Sequence, residues 1–227
     1  MTKLGCHRLQ GTSLGFLAGY VDTLGFLALF GLFTAHVTGN FILIGAALAD
    51  PGSMPILLKF LAFPAFIAGV AAARVLIASC EQREARALRP AFVLELLLLA
   101  LFMAAGMASV PGATGPDGWA MASGLIGAAA MGAHSATSRL LLGHLAPTSM
   151  MTGNVTQMVI DSVDYARGSR DAELDARLGK FAWPLLSFAA GCVIAAFGFH
   201  QYGFLALAVP LLILVALIAV GEPAEAS

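Results

Sequence analysis

Residues 13–49 read SLGFLAGYVDTLGFLALFGLFTAHVTGNFILIGAALA and carry the strongest indication of the fold class. The run 13–33 is almost entirely apolar, and an α-helix needs about 20 such residues to cross a bilayer. Thr38-Gly39-Asn40 follows it, and the apolar run 40–49 comes next. At about 1.5 Å per residue, that second run reaches about half the bilayer. The stretch therefore predicts a transmembrane helix followed by a half-helix.

The composition extends this prediction to the whole chain. Of the 227 residues, 59% are hydrophobic and 11% are charged, whereas soluble domains are about 45–50% apolar and about 25% charged. These values exclude soluble and disordered classes, and the 12 basic against 13 acidic residues exclude a nucleic-acid binder. The apolar run at 13–33 is too long for a signal-peptide core, so we expect it to be a retained helix.

Six stretches are long enough to span a membrane, and two are too short. Pro- or charge-rich segments separate them, including the charged loops 80–90 and 166–180. We expect spans at about 13–33, 55–79, 91–110, 119–144, 181–199 and 203–221, with half-helices at 40–49 and 154–165.

An internal repeat organises these elements. Thr38-Gly39-Asn40 recurs as Thr152-Gly153-Asn154, and Phe66-Ile67-Ala68-Gly69 resembles Phe188-Ala189-Ala190-Gly191. Because each half has an odd number of spans, the halves must have opposite orientations. The predicted fold is an all-α polytopic membrane protein with six transmembrane helices, built as inverted three-helix repeats over 1–110 and 119–221.

The charge distribution predicts the orientation. Eleven of the 12 basic residues fall on one side of a six-span arrangement, and Lys59 falls towards the other. Basic residues favour the cytoplasmic side. We therefore expect both termini in the cytoplasm.

The Thr-Gly-Asn motifs are the candidate substrate-binding segments. Non-helical backbone is tolerated within a bilayer only where it is buried in protein or lines a wet cavity. Thr and Asn can cap a helix that begins there, and its free N–H groups favour an anion or a polar group. Broken helices at matching positions of two inverted halves indicate a transporter site. The alternative is that both motifs are capped turns between ordinary short helices. The residues concerned are Thr38, Gly39, Asn40, Thr152, Gly153 and Asn154.

Ionisable residues within the apolar runs add to this hypothesis. Asp22 lies about nine residues into the first run, where a carboxylate usually faces a cavity or a partner. It is a candidate substrate ligand and proton-linked group, with His36 and His134 as further proton-linked candidates. Each of the three has the alternative of a structural hydrogen bond between helices. Glu95 is expected to snorkel towards the membrane surface.

We predict a small secondary transporter or permease for a small polar or anionic solute. A non-transporting membrane scaffold or partner-binding protein is the alternative, and an intramembrane enzyme is the third. The common hydrolase and nucleotide-binding motifs do not occur, and Cys6, Cys80 and Cys192 are far apart, so we expect no enzyme, cofactor or metal. The expected partners are the bilayer and an unidentified solute, without nucleic acid, and a homo-oligomer is left open.

The stretches 18–48 and 132–159 resemble the YoaK-like family of bacterial membrane proteins, a family of unknown function. In that family the second region usually reads Gly-x-Gln-Asn-x-x-x-Arg. Here His134 and Ser135 stand at the Gln and Asn positions, and Arg139 keeps the basic residue. The resemblance covers nearly the whole chain. It implies a multi-pass protein of the inner membrane, commonly with six spans, and it implies no substrate.

Overall fold

The computed structural model describes residues 3–50, 55–110, 115–148, 151–168 and 172–220, which are helical with short connections and contain no strand. The helices are α1 (Lys3–Ala28), α2 (Gly39–Ala49), α3 (Ile56–Gln82), α4 (Leu88–Ala108), α5 (Gly118–Leu141), α6 (Met151–Ala166), α7 (Ala172–Tyr202) and α8 (Ala208–Val220), with a 3-10 helix at Gly203–Leu207 between the last two.

Three helical segments are long and apolar enough to cross a bilayer. They are α3, α4 and the continuous segment Glu173–Val220, while α2 is apolar but too short. The chain is therefore an all-α membrane protein. Length and hydropathy alone select three segments, fewer than the six expected spans.

Several predicted boundaries were wrong. The first expected span, 13–33, ends as a helix at Ala28, because Phe30 and Gly31 adopt positive φ angles of 55° and 74° and reverse the chain. The helix α7 begins before the expected 181, since the charged residues from Glu173 to Lys180 form its first turns. Residues 200–202, expected as a connection, complete α7, and the break follows at Gly203, with φ 56°.

The core is built on two close helix crossings that share one arrangement. The helix α1 packs mainly against α7, and α3 packs mainly against α5. At each crossing, a glycine of either helix lies against a backbone carbonyl of the other, where an added Cβ would collide. Small residues let membrane helices approach this closely. The facing pairs are Gly19 with Phe188, Gly191 with Phe16, Gly132 with Phe66, and Gly69 with Ala129.

The helices α4 and α8 complete the core. Phe102 of α4 is fully buried against Gly127 of α5. Phe204 of the 3-10 helix lies against Gly106 of α4, and the Tyr20 hydroxyl donates to the Ala206 carbonyl at 2.9 Å. These contacts join α4 and the 3-10 helix to α1 and α5, the helices that precede the two loops.

Candidate functional site

The first loop, residues 29–38, joins α1 to α2 and folds back against the protein. The Leu29 N–H bonds to the Gly25 carbonyl, and the Gly31 N–H bonds to the Phe26 carbonyl, each at 2.9 Å. Leu29 and Leu32 are fully buried. Because this backbone is not helical, its polar groups need other partners in a low-dielectric environment.

Asp22 supplies partners for the middle of the first loop. Its Oδ1 accepts from the backbone N–H groups of Thr34 and Ala35, both at 2.7 Å, and from the Thr34 hydroxyl at 3.2 Å. Its Oδ2 lies 2.6 Å from Nδ1 of His36. The Asp22 side chain is 6% exposed and the His36 side chain is 36% exposed. Asp22 thus anchors the loop and orients an imidazole that reaches the protein surface.

Asn40 and Lys59 hold the rest of this loop. The Asn40 amide accepts from the Phe33 N–H at 3.0 Å and donates to the Phe33 carbonyl at 2.8 Å. The fully buried Lys59 donates to the Phe30 carbonyl at 2.6 Å. Thr38 occupies the N-cap position of α2, but its side chain makes no capping hydrogen bond. The expected capping by Thr38 or Asn40 was therefore wrong, because the Asn40 side chain uses both of its polar atoms in hydrogen bonds to Phe33.

The start of α2 also offers fewer free donors than expected. The N–H groups of Gly39, Asn40 and Phe41 bond to the carbonyls three residues earlier, at 2.8, 3.1 and 3.2 Å. Tight first-turn bonds of this kind satisfy groups that would otherwise bind an anion.

The second loop, described over residues 142–148, lies between α5 and α6. Asn154 donates to the Pro147 carbonyl at 2.7 Å, so each Thr-Gly-Asn asparagine contacts the residue seven positions before it. The motif itself is placed differently, however. Thr152, Gly153 and Asn154 lie inside the first turn of α6, which begins before the expected 154, so they do not precede the helix.

The second loop is tied to a buried polar cluster, which we call the Glu95 cluster: Glu95, His134, Ser138 and Thr148. His134 Nδ1 lies 2.8 Å from Glu95 Oε1, and His134 Nε2 lies 2.8 Å from the Thr148 hydroxyl. The Thr148 hydroxyl also lies 3.2 Å from the Ser138 hydroxyl, so His134 connects Glu95 of α4 to the second loop.

Glu95 was expected to snorkel, and this was wrong. Its side chain is fully buried, and its Oε2 has no hydrogen-bond partner among the described residues. Its position as the acidic residue within the apolar run 91–110 was the available indication of a partnered site. The partner could not be read from the sequence, since it depends on the rotation of α4 against α5.

The predicted site residues do not converge on one centre. Asp22, His36 and Asn40 surround the first loop, whereas His134 and Asn154 surround the second loop. Among the described residues, α2 contacts α3, α6 contacts α7, and α2 and α6 do not contact each other. Asn40 and Asn154, which a central site between two inverted halves would bring together, therefore do not contact each other.

Other side chains add little to a shared site. Thr38, Thr152 and Gly153 are exposed. No group of three potential metal ligands occurs in the described part of the chain.

Comparison with known proteins gives the family. Residues 10–220 match the model of the family described as "Protein of unknown function (DUF1275)". The chain belongs to this family. An 86-residue stretch is 34% identical to the UPF0700 transmembrane protein YoaK of Bacillus subtilis (strain 168). That match covers 37% of this chain and 38% of the relative, well under two thirds of its length. No solved structure matches the chain.

Proposed function

We propose that the protein is a small secondary transporter or permease for a small polar or anionic solute. The observation that carries the proposal is the matched construction of the two loops. Each loop interrupts the helices, and in each loop a threonine six residues before the motif asparagine is hydrogen-bonded to a buried ionisable side chain. Thr34 is bonded to Asp22 in the first loop, and Thr148 is bonded to His134 in the second loop. Such breaks at matching positions are typical of transporters.

The proposal includes two inverted repeats and six spans, with both termini cytoplasmic in a bacterial inner membrane. The shared arrangement of the α1–α7 and α3–α5 crossings supports the repeat. Each crossing then joins the first helix of one repeat to the long helix that follows the half-helix of the other. The six spans would be α1, α3, α4, α5, α7 and the 3-10 helix with α8.

Within this proposal, Asp22 and His36 form the proton-linked site. The exposed part of the His36 ring exchanges protons with water, while Asp22 fixes the ring through Nδ1. Thr38 and Gly39 lie next to this pair and border the path of the solute. On the other side, the Glu95 cluster with Thr152, Gly153 and Asn154 would form the matching half.

A non-transporting scaffold is the second candidate. It is favoured by the polar atoms that are already hydrogen-bonded to the backbone of the first loop. These are both polar atoms of the Asn40 side chain and the Oδ1 of Asp22. In that case, the buried polar residues serve folding alone. We further propose that the protein is not an enzyme, needs no cofactor and binds no nucleic acid.

Asp22→Asn separates the two candidates. The amide keeps an oxygen for Thr34 and Ala35 and places an N–H group against His36 Nδ1, so the loop remains bound. It cannot ionise, however, and it fixes the imidazole in one tautomer. Asp164→Asn, at an exposed position of α6, is the matched control.

The measurement is uptake into proteoliposomes with an imposed proton gradient. The solutes are amino acids, mono- and dicarboxylates, sugars and inorganic anions, and protein yield and melting temperature are recorded for each variant. We expect wild type and Asp164→Asn to transport one class, and folded Asp22→Asn to lose the uptake or its pH dependence. Absence of uptake across the panel, or unchanged uptake and pH dependence in Asp22→Asn, would contradict the proposal and favour the scaffold.

A further inference from the structure

A separate cavity of about 290 Å³ lies between the N-terminal part of α1, the second loop and the first turns of α7. Neither Asp22 nor the Glu95 cluster lines it. Its wall is basic on three sides, with Trp183 beside the charged groups. The basic side chains are His7, Arg8, His144, Arg177 and Lys180.

The positive charges of this cavity are only partly compensated. Arg177 lies 3.1 Å from Asp161 and 3.9 Å from Glu173, so it has acidic partners. In the described part of the chain, Arg8 and Lys180 make no ion pair. The acidic Glu173 also lines the cavity, and the two cations without an ion-pair partner, Arg8 and Lys180, approach it from different helices.

Two imidazoles close the cavity towards the second loop. The ring centroids of His7 and His144 are 4.2 Å apart. Burial lowers the pKa of His144, and the neighbouring positive charges of His7 and Lys180 lower it further. An anion bound among these groups would offset that repulsion.

The cavity also lies at a boundary between polar and apolar sequence. The charged turns of α7 end at Lys180, and Trp183 lies near the start of the apolar part of that helix. Trp183 is half exposed, and tryptophan is enriched where a helix meets the headgroup layer. Basic pockets between helices at this level hold anionic headgroups.

We propose that this cavity is a binding site for a phosphate-bearing anion, supplied by an anionic phospholipid headgroup or by free phosphate. Arg8 and Lys180 bind the phosphate oxygens, the two imidazoles complete the donor set, and Trp183 contacts the adjoining apolar part. The site does not depend on the proposed transport function.

The test uses Trp183 as the reporter. Trp119, the other tryptophan, is exposed at the start of α5, so Trp119→Phe leaves Trp183 as the fluorophore. The detergent-solubilised full chain is titrated with short-chain phosphatidylglycerol, with phosphatidylcholine of equal chain length, and with inorganic phosphate. The double variant Arg8→Gln/Lys180→Gln is compared with Arg83→Gln/Arg89→Gln, which removes the same charge from the end of α3 and the first turn of α4.

We expect a saturable change with phosphatidylglycerol that is about 30-fold weaker in Arg8→Gln/Lys180→Gln and unchanged in the control variant. Competition by inorganic phosphate would identify the phosphate group as the recognised part, and saturation by inorganic phosphate alone would identify a free anion as the source. Equal binding of phosphatidylcholine, no saturation with any probe, or equal affinity in Arg8→Gln/Lys180→Gln would overturn the proposal.

Discussion

Asn40 and Asn154 occupy matching positions, yet they should differ in their contribution to stability. Asn40 makes two hydrogen bonds to Phe33, one to the N–H and one to the carbonyl. Asn154 bonds to the carbonyl of Pro147, which has no N–H to donate. The second hydrogen bond of Asn154 goes to the Met151 sulfur at 3.5 Å, which is a weak acceptor, so the two loops compare two bonds to the backbone with one.

The expected magnitudes follow from this count. A buried hydrogen bond contributes about 1 kcal/mol, and an unsatisfied buried partner adds to the loss. Asn40→Ala removes two bonds and leaves two backbone groups of Phe33 unpaired, so we expect a loss of roughly 2–3 kcal/mol. Asn154→Ala removes one such bond, and we expect a loss of roughly 1–1.5 kcal/mol. Asn40→Asp keeps an acceptor for the Phe33 N–H and loses the donor to its carbonyl, so its loss should exceed that of Asn154→Ala.

The assay is reversible unfolding of the purified protein in mixed micelles, followed by circular dichroism, with Thr152→Ala as an exposed control on α6. The expected order of stability is wild type, Asn154→Ala and then Asn40→Ala, with Thr152→Ala close to wild type. An equal or greater loss for Asn154→Ala, or a neutral Asn40→Ala, would refute the assignment of Asn40 as a double clamp.

Three further predictions concern topology, packing and pH. On a background without native cysteines, Gly118→Cys should react with an impermeant thiol reagent from outside and Arg83→Cys should not. The reason is that the six-span arrangement puts positions 83 and 118 on opposite sides of the membrane. External labelling of Arg83→Cys would contradict that arrangement. Gly19→Val should lower the yield of folded protein strongly, since the added Cβ would meet the Phe188 carbonyl. Gly45→Ala has open space around the added Cβ and should change the melting temperature little. Equal yields of the two variants would count against the close crossing of α1 and α7. The N–H groups of Ala120 and Val110 lower the pKa of Asp117, so its stabilising effect is present at neutral pH and fades as the pH falls through its lowered pKa. Asp117→Asn should reduce the melting temperature at pH 7, and the reduction should become smaller as the pH is lowered through the acid range. A reduction that does not change with pH would exclude the charge as the cause.

The sequence was informative about segments whose pattern is local. The run 40–49 predicted α2 to within one residue, because Thr-Gly-Asn precedes it and Asp-Pro-Gly-Ser follows it in the sequence. The end of α1 was missed by five residues, because apolar side chains continue through the left-handed turn at Phe30 and Gly31. A turn that is buried within the protein needs apolar side chains, so hydropathy alone cannot distinguish this turn from a continuation of the helix.

Long-range partners were less accessible to prediction. Asp22 and His36 could be identified as candidates, since both are ionisable and Asp22 lies within an apolar run while His36 lies between two of them. Glu95 and His134 are 39 positions apart, and they meet only because α4 packs on α5 in one rotation. Lys59 was considered only as a charge for topology, whereas its role as a donor to the Phe30 carbonyl depends on the path of the first loop.

The two loops differ in one physical respect that bears on mechanism. The Asp22–His36 pair opens to the surface through a side chain that is 36% exposed, while the Glu95–His134 pair is closed, with side chains at most 1% exposed. In the closed pair each side chain depends on the other, because an uncompensated buried charge is costly. In the open pair the imidazole is accessible to water, while Asn40 and the Asp22 contacts to Thr34 and Ala35 hold the backbone of the first loop. If the two halves exchange conformations in the proposed transport cycle, opening the second loop would have to expose Glu95 and His134 together.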